Sequence, residues 1–369
     1  MKRLFSLLLT LSLLLGAVFP VASAEATAGT SQELSLSAQS AVLIHAEDGE
    51  VYYAKNADTP MGMASTTKLM TALVVAEHCD PQKSITVPQA AVGIEGSSIY
   101  LTKGEMLTVE ELLYALLLAS ANDAATALAL TVSDSVADFC ALMNQKAKEL
   151  GLSKTHFVNP HGLHHEDHYT TARELAIIAA AVLKVPLLRK IVATKKATIS
   201  HDGKADQRLL VNHNRLLSSY EGAIGMKTGY TKKTGRTLVS AAERQGLTLI
   251  AVTLNAPDDW RDHATLLDYG FANYETVTLA EIGSFRYAMP VTGGQDEQVW
   301  LTNEQALRLT LPKKREKITY RIFSASRFLF APQDEGNRVA TLTYYCGGKT
   351  VSSPLCTLTA VSQTQKKKG

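Results

Sequence analysis

The chain has 369 residues, 46% of them hydrophobic and 20% charged, with 37 basic against 35 acidic side chains. That length is too great for one ordinary core and suits two domains. A net charge of +2 excludes broad electrostatic binding to nucleic acid, the more so because Lys2 and Arg3 stand in a leader and leave 35 of each sign beyond it.

The leader has Lys2 and Arg3 at its start, an apolar run over residues 4–18 and a small-x-small site at Ala22-Ser23-Ala24. This predicts a secretory signal peptide over 1–24, cleaved before Glu25, and an extracytoplasmic protein. Residues 25–37 are small and polar and predict a flexible lead-in. Residues 40–46 and 51–54 are strand-like and flank Glu47-Asp48-Gly49-Glu50, a hairpin signal. Residues 65–78 predict a helix with Leu69, Ala72, Leu73 and Ala76 on one face.

Thr108 and Glu111 form a capping box that opens an apolar helix over 109–119. The chain breaks at Ser120-Ala121-Asn122-Asp123, and a second apolar helix starts at Ala124. Residues 134–150 carry Val136, Phe139, Cys140, Met143, Ala147 and Leu150 on one face, with Gly151 as C-cap. Thr171 and Glu174 predict another capping box and a helix to Lys184, with Pro186 beyond it. Residues 222–231, 236–243 and 247–254 then read as strands, the last two joined by Arg244-Gln245-Gly246, before a helix over 259–271. Strands from both ends of residues 38–274 can pair into one mixed sheet with helices on its faces, an α/β fold.

Past residue 275 the helical period disappears. Short β-type runs at 299–302, 306–311, 319–323, 338–345 and 355–361 predict a small all-β domain over 275–362, followed by a basic tail at 363–369. Of the four cysteines, Cys140 is expected in the core. Cys346 and Cys356 flank Gly347-Gly348 on neighbouring strands, and a bridge between them is one expectation.

Three motifs carry chemistry. Ser65-Thr66-Thr67-Lys68 places a hydroxyl and an amine on one helix face, where the amine can take the hydroxyl's proton once burial or a second cation lowers its pKa. A helix start would also favour negative charge at Ser65. Ser120-Ala121-Asn122 sits between two apolar helices, so its polar groups can project into a cleft. Ser120 could relay a proton there and Asn122 could bond a substrate amide. Lys227-Thr228-Gly229 lies on a strand; Gly229 admits a substrate backbone closely, and Lys227 is a second cation. Each motif alone is common and most often structural.

Their order and settings together resemble the serine penicillin-recognising enzymes. Residues 40–72, 97–126, Asn159-Pro160-His161-Gly162-Leu163 and 221–242 resemble the low-molecular-mass D-Ala-D-Ala carboxypeptidases, with the likeness covering about 38–275 and more loosely the remainder. The resemblance implies Ser65 as acyl-ester nucleophile, Lys68 as general base, and Ser120 and Asn122 as second-motif residues. Lys227 and Thr228 would bind the substrate terminus, Arg261 would receive its carboxylate, and the backbone N–H groups of Ser65 and Tyr230 would form an oxyanion hole. It further implies a peptidoglycan stem peptide as substrate, β-lactams as inhibitors, no cofactor, and a C-terminal domain facing the membrane or other wall proteins. The approach to the serine, Met61-Gly62-Met63-Ala64, lacks the proline the family commonly has, and no amphipathic helix follows Val361.

Two other classes stay open from the residues alone. A class A-like β-lactamase would carry a Glu-x-x-x-Asn loop, but Glu166 is followed four residues on by Thr170. A β-lactam sensor would keep the same residues without turnover. The cluster of His161, His164, His165, Glu166, Asp167 and His168 invites zinc, yet Pro160 and Gly162 predict a loop of exposed histidines and no metal site.

Overall fold

The computed structural model describes residues 34–201, 207–315 and 319–364. The predicted leader and the last five residues of the tail lie outside them.

Strands β1 (Ser40–His45) and β2 (Val51–Lys55) form the expected hairpin. Its turn is held by Asp48, which accepts from the Glu50 amide at 3.0 Å and pairs with His45 Nδ1 at 2.8 Å. A 3-10 turn over Ala64–Thr67 leads into α1 (Lys68–His78). Two short strands missed by periodicity, β3 (Ser84–Thr86) and β4 (Met106–Thr108), pair before α2 (Val109–Leu117). The capping box at Thr108 is complete: its hydroxyl accepts from the Glu111 amide at 3.2 Å, and the Glu111 carboxylate accepts from the Thr108 amide at 2.8 Å.

Helices α3 (Asn122–Val132), α4 (Val136–Glu149) and α5 (Ala172–Lys184) follow. At α5 only half of the predicted box forms. Thr171 caps the Glu174 amide, but the Glu174 carboxylate turns to the amides of Ser153 and Lys154. Pro186 does not merely end α5; it is the first residue of α6 (Pro186–Ala193), where its missing N–H costs nothing. Next come the hairpin β5 (Lys196–Ser200) and β6 (Gln207–Val211), the single turn α7 (Leu216–Ser219), β7 (Ala223–Thr231), β8 (Gly235–Arg244), β9 (Leu247–Leu254) and α8 (Asp259–Asn273).

Five strands make one sheet in the order β2-β1-β9-β8-β7, and every pairing in it is antiparallel, where a mixed sheet was expected. The β8–β9 loop is two residues long, with φ of 51° at Gln245 and 76° at Gly246, the backbone twist such hairpins require. Both faces are covered, so β9 is buried along its whole length rather than on alternate residues. Val42, Ile44, Val239 and Val252 face the main helical core; Ala41, Leu43, Leu249 and Ala251 pack on Leu266 and Leu267 of α8.

The end of the lead-in is tethered rather than loose. Asp262 of α8 accepts from the amides of Ser37 and Ala38 at 2.9 and 2.8 Å and from the Ser37 hydroxyl at 2.8 Å.

Beyond α8 the chain is all β. Strand β10 (Tyr274–Ala280) pairs with β13 (Leu307–Pro312). A six-stranded sheet contains β11 (Tyr287–Thr292), β12 (Gln298–Asn303), β14 (Thr319–Ala325), β15 (Leu329–Phe330), β16 (Arg338–Cys346) and β17 (Lys349–Thr357), in the order β14-β16-β17-β12-β11-β15. The last strand starts earlier than the expected 355. No disulfide joins Cys346 and Cys356. The β16–β17 register sets Cys346 opposite Lys349 and Cys356 opposite Arg338. The two thiols are therefore at opposite ends of the hairpin, roughly 20 Å apart at strand spacing and beyond bridging distance. Cys140 is buried as expected, and burial pushes its thiol up to about 11.

This region docks on the first hairpin. Tyr274 stacks on Tyr52 with centroids 3.6 Å apart, and Lys349 Nζ bonds the Glu50 carboxylate and the Thr310 carbonyl, the latter at 2.8 Å. Among the described residues no single helix is long and apolar enough to cross a membrane.

Candidate active site

The 3-10 turn carrying Ser65 is pinned from two sides. Thr237 of β8 donates to the Met63 carbonyl at 3.1 Å. From below, the 159–168 loop packs against it. Thr71 donates to the Pro160 carbonyl at 2.6 Å, and Thr67 Oγ1 contacts His168 Nε2 at 2.8 Å. Gly162 lies so close, with φ of 89°, that a Cβ there would stand 1.9 Å from the Ala64 carbonyl oxygen. The turn is itself strained, since Ala64 has φ of 47°.

Two histidines of that loop are therefore not exposed, contrary to expectation. His168 is buried and His161 half-buried, while His164 and His165 do face solvent. Burial lowers His168 to about 3 and His161 to about 4, the latter helped by the Lys68 charge, so both are neutral at pH 7. Among the described residues no group of three metal-ligating side chains converges.

Lys68 opens α1 fully buried. Its Nζ lies 3.0 Å from Ser65 Oγ, 2.7 Å from Asn122 Oδ1 and 2.6 Å from the His161 carbonyl. The Asn122 orientation is set by its own amide, which donates to the Glu95 carbonyl at 2.5 Å. Two of the three neighbours can therefore only accept. A neutral amine has two N–H donors and one lone pair. With both donors engaged by Asn122 and His161, the lone pair is left for the Ser65 hydroxyl.

The environment favours that neutral form. Burial, followed by the Lys227 charge, pushes Lys68 well below its ordinary value, with Asp123 opposing weakly. Lys227 is also buried, bonds the Thr228 carbonyl at 2.9 Å, and is lowered to about 7 by burial. Asp123 has a second duty. It accepts from the Ser98 hydroxyl at 2.6 Å and the Leu101 amide at 3.0 Å, which fixes the loop that brings Ser97 to the cleft.

The cleft has a volume of about 520 Å³ and is lined by Ser65, Ser120, Thr228, Gly229 and Tyr230 among others. Ser120, with φ of 61°, occupies the break between α2 and α3, which buries its backbone and leaves its side chain at the cleft wall. Strand β7 is the edge of its sheet, so a ligand strand can lie against it. Gly229 lets β7 pack closely on the nucleophile turn: a Cβ there would meet Thr237 Oγ1 at 2.3 Å and the Ser65 nitrogen at 3.0 Å.

Lys68, Asn122 and Lys227 lie buried behind the cleft wall, and a fourth predicted residue is outside the site altogether. Arg261 is exposed on α8 and absent from the cleft lining. Helix α8 turns Asp259, Asp262, His263, Leu266, Leu267 and Gly270 inward, which places Arg261 on the outer face. The arginines that do line the cleft are Arg215 and Arg236, beside Asp259 and Trp260. Sequence reasoning missed these two, and it missed the His161 carbonyl.

A family model described as "D-alanyl-D-alanine carboxypeptidase" matches residues 26–258, and one described as "Penicillin-binding protein 5, C-terminal domain" matches 274–363. The chain is 34% identical to "D-alanyl-D-alanine carboxypeptidase DacF" of Bacillus subtilis, covering 100% of this chain and 96% of that one. It is 32% identical to "D-alanyl-D-alanine carboxypeptidase DacC" of Escherichia coli, covering 90% and 86%. Penicillin binding protein 5 from Haemophilus influenzae has the same fold, with a TM-score of 0.68 at 29% identity over 90% of this chain and 99% of that one. With a matching family over the α/β part and a relative aligned along the whole length, the chain belongs to the D-alanyl-D-alanine carboxypeptidase family.

Proposed function

We infer that this chain is a serine D-Ala-D-Ala carboxypeptidase that removes the terminal D-alanine from peptidoglycan stem peptides. The observation that carries the reading is the Lys68 amine. It is buried beside a second lysine, with both donors held by carbonyl oxygens and its third direction open to Ser65.

Ser65 Oγ attacks the carbonyl carbon of the penultimate D-alanine, and its proton passes to Lys68. The negative oxygen develops against the backbone N–H groups of Ser65 and Tyr230. The β7 edge holds the peptide, Asn122 stays engaged with Lys68 and the Glu95 carbonyl, and Lys227 with Thr228 binds near the departing residue. The proton returns to the leaving amine by way of Ser120, and D-alanine departs. Water then attacks the ester carbon as Lys68 takes its proton; the bond to Ser65 Oγ breaks, Lys68 returns the proton to Ser65, and the shortened peptide leaves. β-Lactams present a strained amide to the same serine and acylate it.

The leader at 1–24 supports export, cleavage before Glu25 and work at the cell wall or outer face of the membrane. The C-terminal domain is then free to meet the membrane surface or other wall proteins.

The test is D-alanine release from diacetyl-Lys-D-Ala-D-Ala, with wild type beside Ser65→Ala. Release by wild type that is abolished in the variant is expected. Absence of release by wild type, with a stable penicillin adduct on Ser65, would replace this reading with a sensor.

A further inference from the structure

At one end of the cleft, Arg236 of β8 projects over Trp260, its Cζ 5.9 Å from the ring centroid. Asp259 accepts from Arg236 Nη2 at 3.0 Å and is itself almost fully buried. This pair restrains the guanidinium, since it lies within cation–π range of the indole and one of its nitrogens is tied to a buried carboxylate. The Arg236 Nε is buried and has no hydrogen-bond partner. Across the same ring sits Arg215, its Cζ 6.0 Å from the centroid and, among the described residues, without an ion pair. Arg215 and Arg236 line this end of the cleft beside one carboxylate, Asp259, so it has an excess of positive charge.

We propose that Arg236, fixed by Asp259 and Trp260, receives the free carboxylate of the substrate's terminal residue, in place of the arginine expected at Arg261. The proposal rests on the carboxypeptidase reading and names the group that makes the enzyme specific for a free C-terminus. Strand register supports it. Arg236 is the β8 partner of Tyr230, one position beyond the Gly229 that lies over the nucleophile turn. A peptide on the β7 edge with its scissile carbonyl at Ser65 has its last residue within this end of the cleft. Arg215, on a separate element, supplies long-range attraction and contributes less.

The experiment compares two peptides, diacetyl-Lys-D-Ala-D-Ala and the same peptide with a C-terminal amide, on wild type, Arg236→Leu, Arg236→Lys, Arg215→Leu and Arg261→Leu. In wild type the free acid is strongly preferred. Arg236→Leu is expected to lower kcat/KM for the free acid about ten-fold or more, the order of a hydrogen bond to a charged group. Hydrolysis of the amide should fall far less, because an uncharged terminus makes no such pair. Arg236→Lys should restore part of the preference by charge without the forked geometry. Circular dichroism and the thermal midpoint of each variant serve as the folding control, and an Arg236→Leu/Asp259→Asn double variant covers damage from leaving Asp259 alone. The inference is overturned if Arg236→Leu slows both peptides equally, or if Arg261→Leu or Arg215→Leu removes the preference instead. A wild type inactive on both peptides would overturn the carboxypeptidase reading itself, a result distinct from either.

Discussion

Replacing Lys227 by methionine is expected to raise stability and lower activity together. Lys227 is buried, and its pKa falls from 10.5 to about 7. Each unit of displacement corresponds to about 1.36 kcal/mol, so burying this amine at pH 7 costs at most about 4 kcal/mol. Methionine fills similar space with no charge to desolvate. The expected gain is about 1–4 kcal/mol, or a Tm higher by several degrees. The sign has a pH signature. The folded-state pKa is depressed, so the penalty is complete below about pH 7. It fades as pH rises toward 10.5, where the unfolded chain has lost the proton as well. The variant's advantage should therefore be largest at pH 7 and below and shrink toward pH 10. A second readout is acylation by a fluorescent penicillin. Without the Lys227 charge, the Lys68 amine becomes more basic, and the acidic limb of the rate profile should move to higher pH. Urea unfolding of both proteins at pH 7, 8.5 and 10 measures the first effect. A variant that is less stable at pH 7, or whose advantage does not change with pH, would refute the reasoning.

Two further perturbations test the supports of the site. Gly162→Ala puts a Cβ 1.9 Å from the Ala64 oxygen at a φ of 89°, so it should cost about 1–3 kcal/mol and slow penicillin acylation more than ten-fold by shifting Ser65; near-wild-type acylation would show that the loop does not brace the turn. His263, wholly buried between Ser240 and Thr253, is held down to about 3, so the folded state gives up stability as pH falls from 6.5 toward 3 while the unfolded chain takes up the proton, by up to about 1.4 kcal/mol per unit. His263→Gln should flatten that part of the urea stability profile, and an unchanged slope would count against it.

Much of the site was legible because its chemistry resides in side chains at helical or strand spacing. Ser65 and Lys68 had to share a face, and Gly229 had to admit something close. The His161 carbonyl left no trace, because a backbone acceptor is available from any residue and only the path of the loop selects this one. The exposed-loop expectation failed at His168 for a related reason: Thr67 and the Val158 amide engage its two nitrogens, which lets a polar ring be buried. Arg261 was misassigned although the phase of α8 was readable. Leu266, Leu267 and Gly270 already mark the inward face, and residue 261 lies off it. Cys346 and Cys356 were placed on the right two strands, but register, which composition does not reveal, separated them.

The sheet order has a consequence for when the enzyme comes alive. Strand β1 closes against β9, with Ser40 opposite Leu254, so the nucleophile turn is emitted early and its sheet is completed late. Contacts that span so much chain form slowly, since a large loop must close before they are rewarded. Until β7 arrives with Lys227, and the 159–168 loop with its carbonyl, Lys68 is an ordinary solvated amine carrying its proton and Ser65 an ordinary hydroxyl. A nascent or unfolded chain is therefore chemically inert toward any D-Ala-D-Ala peptide it meets, and reactivity appears only with the completed sheet.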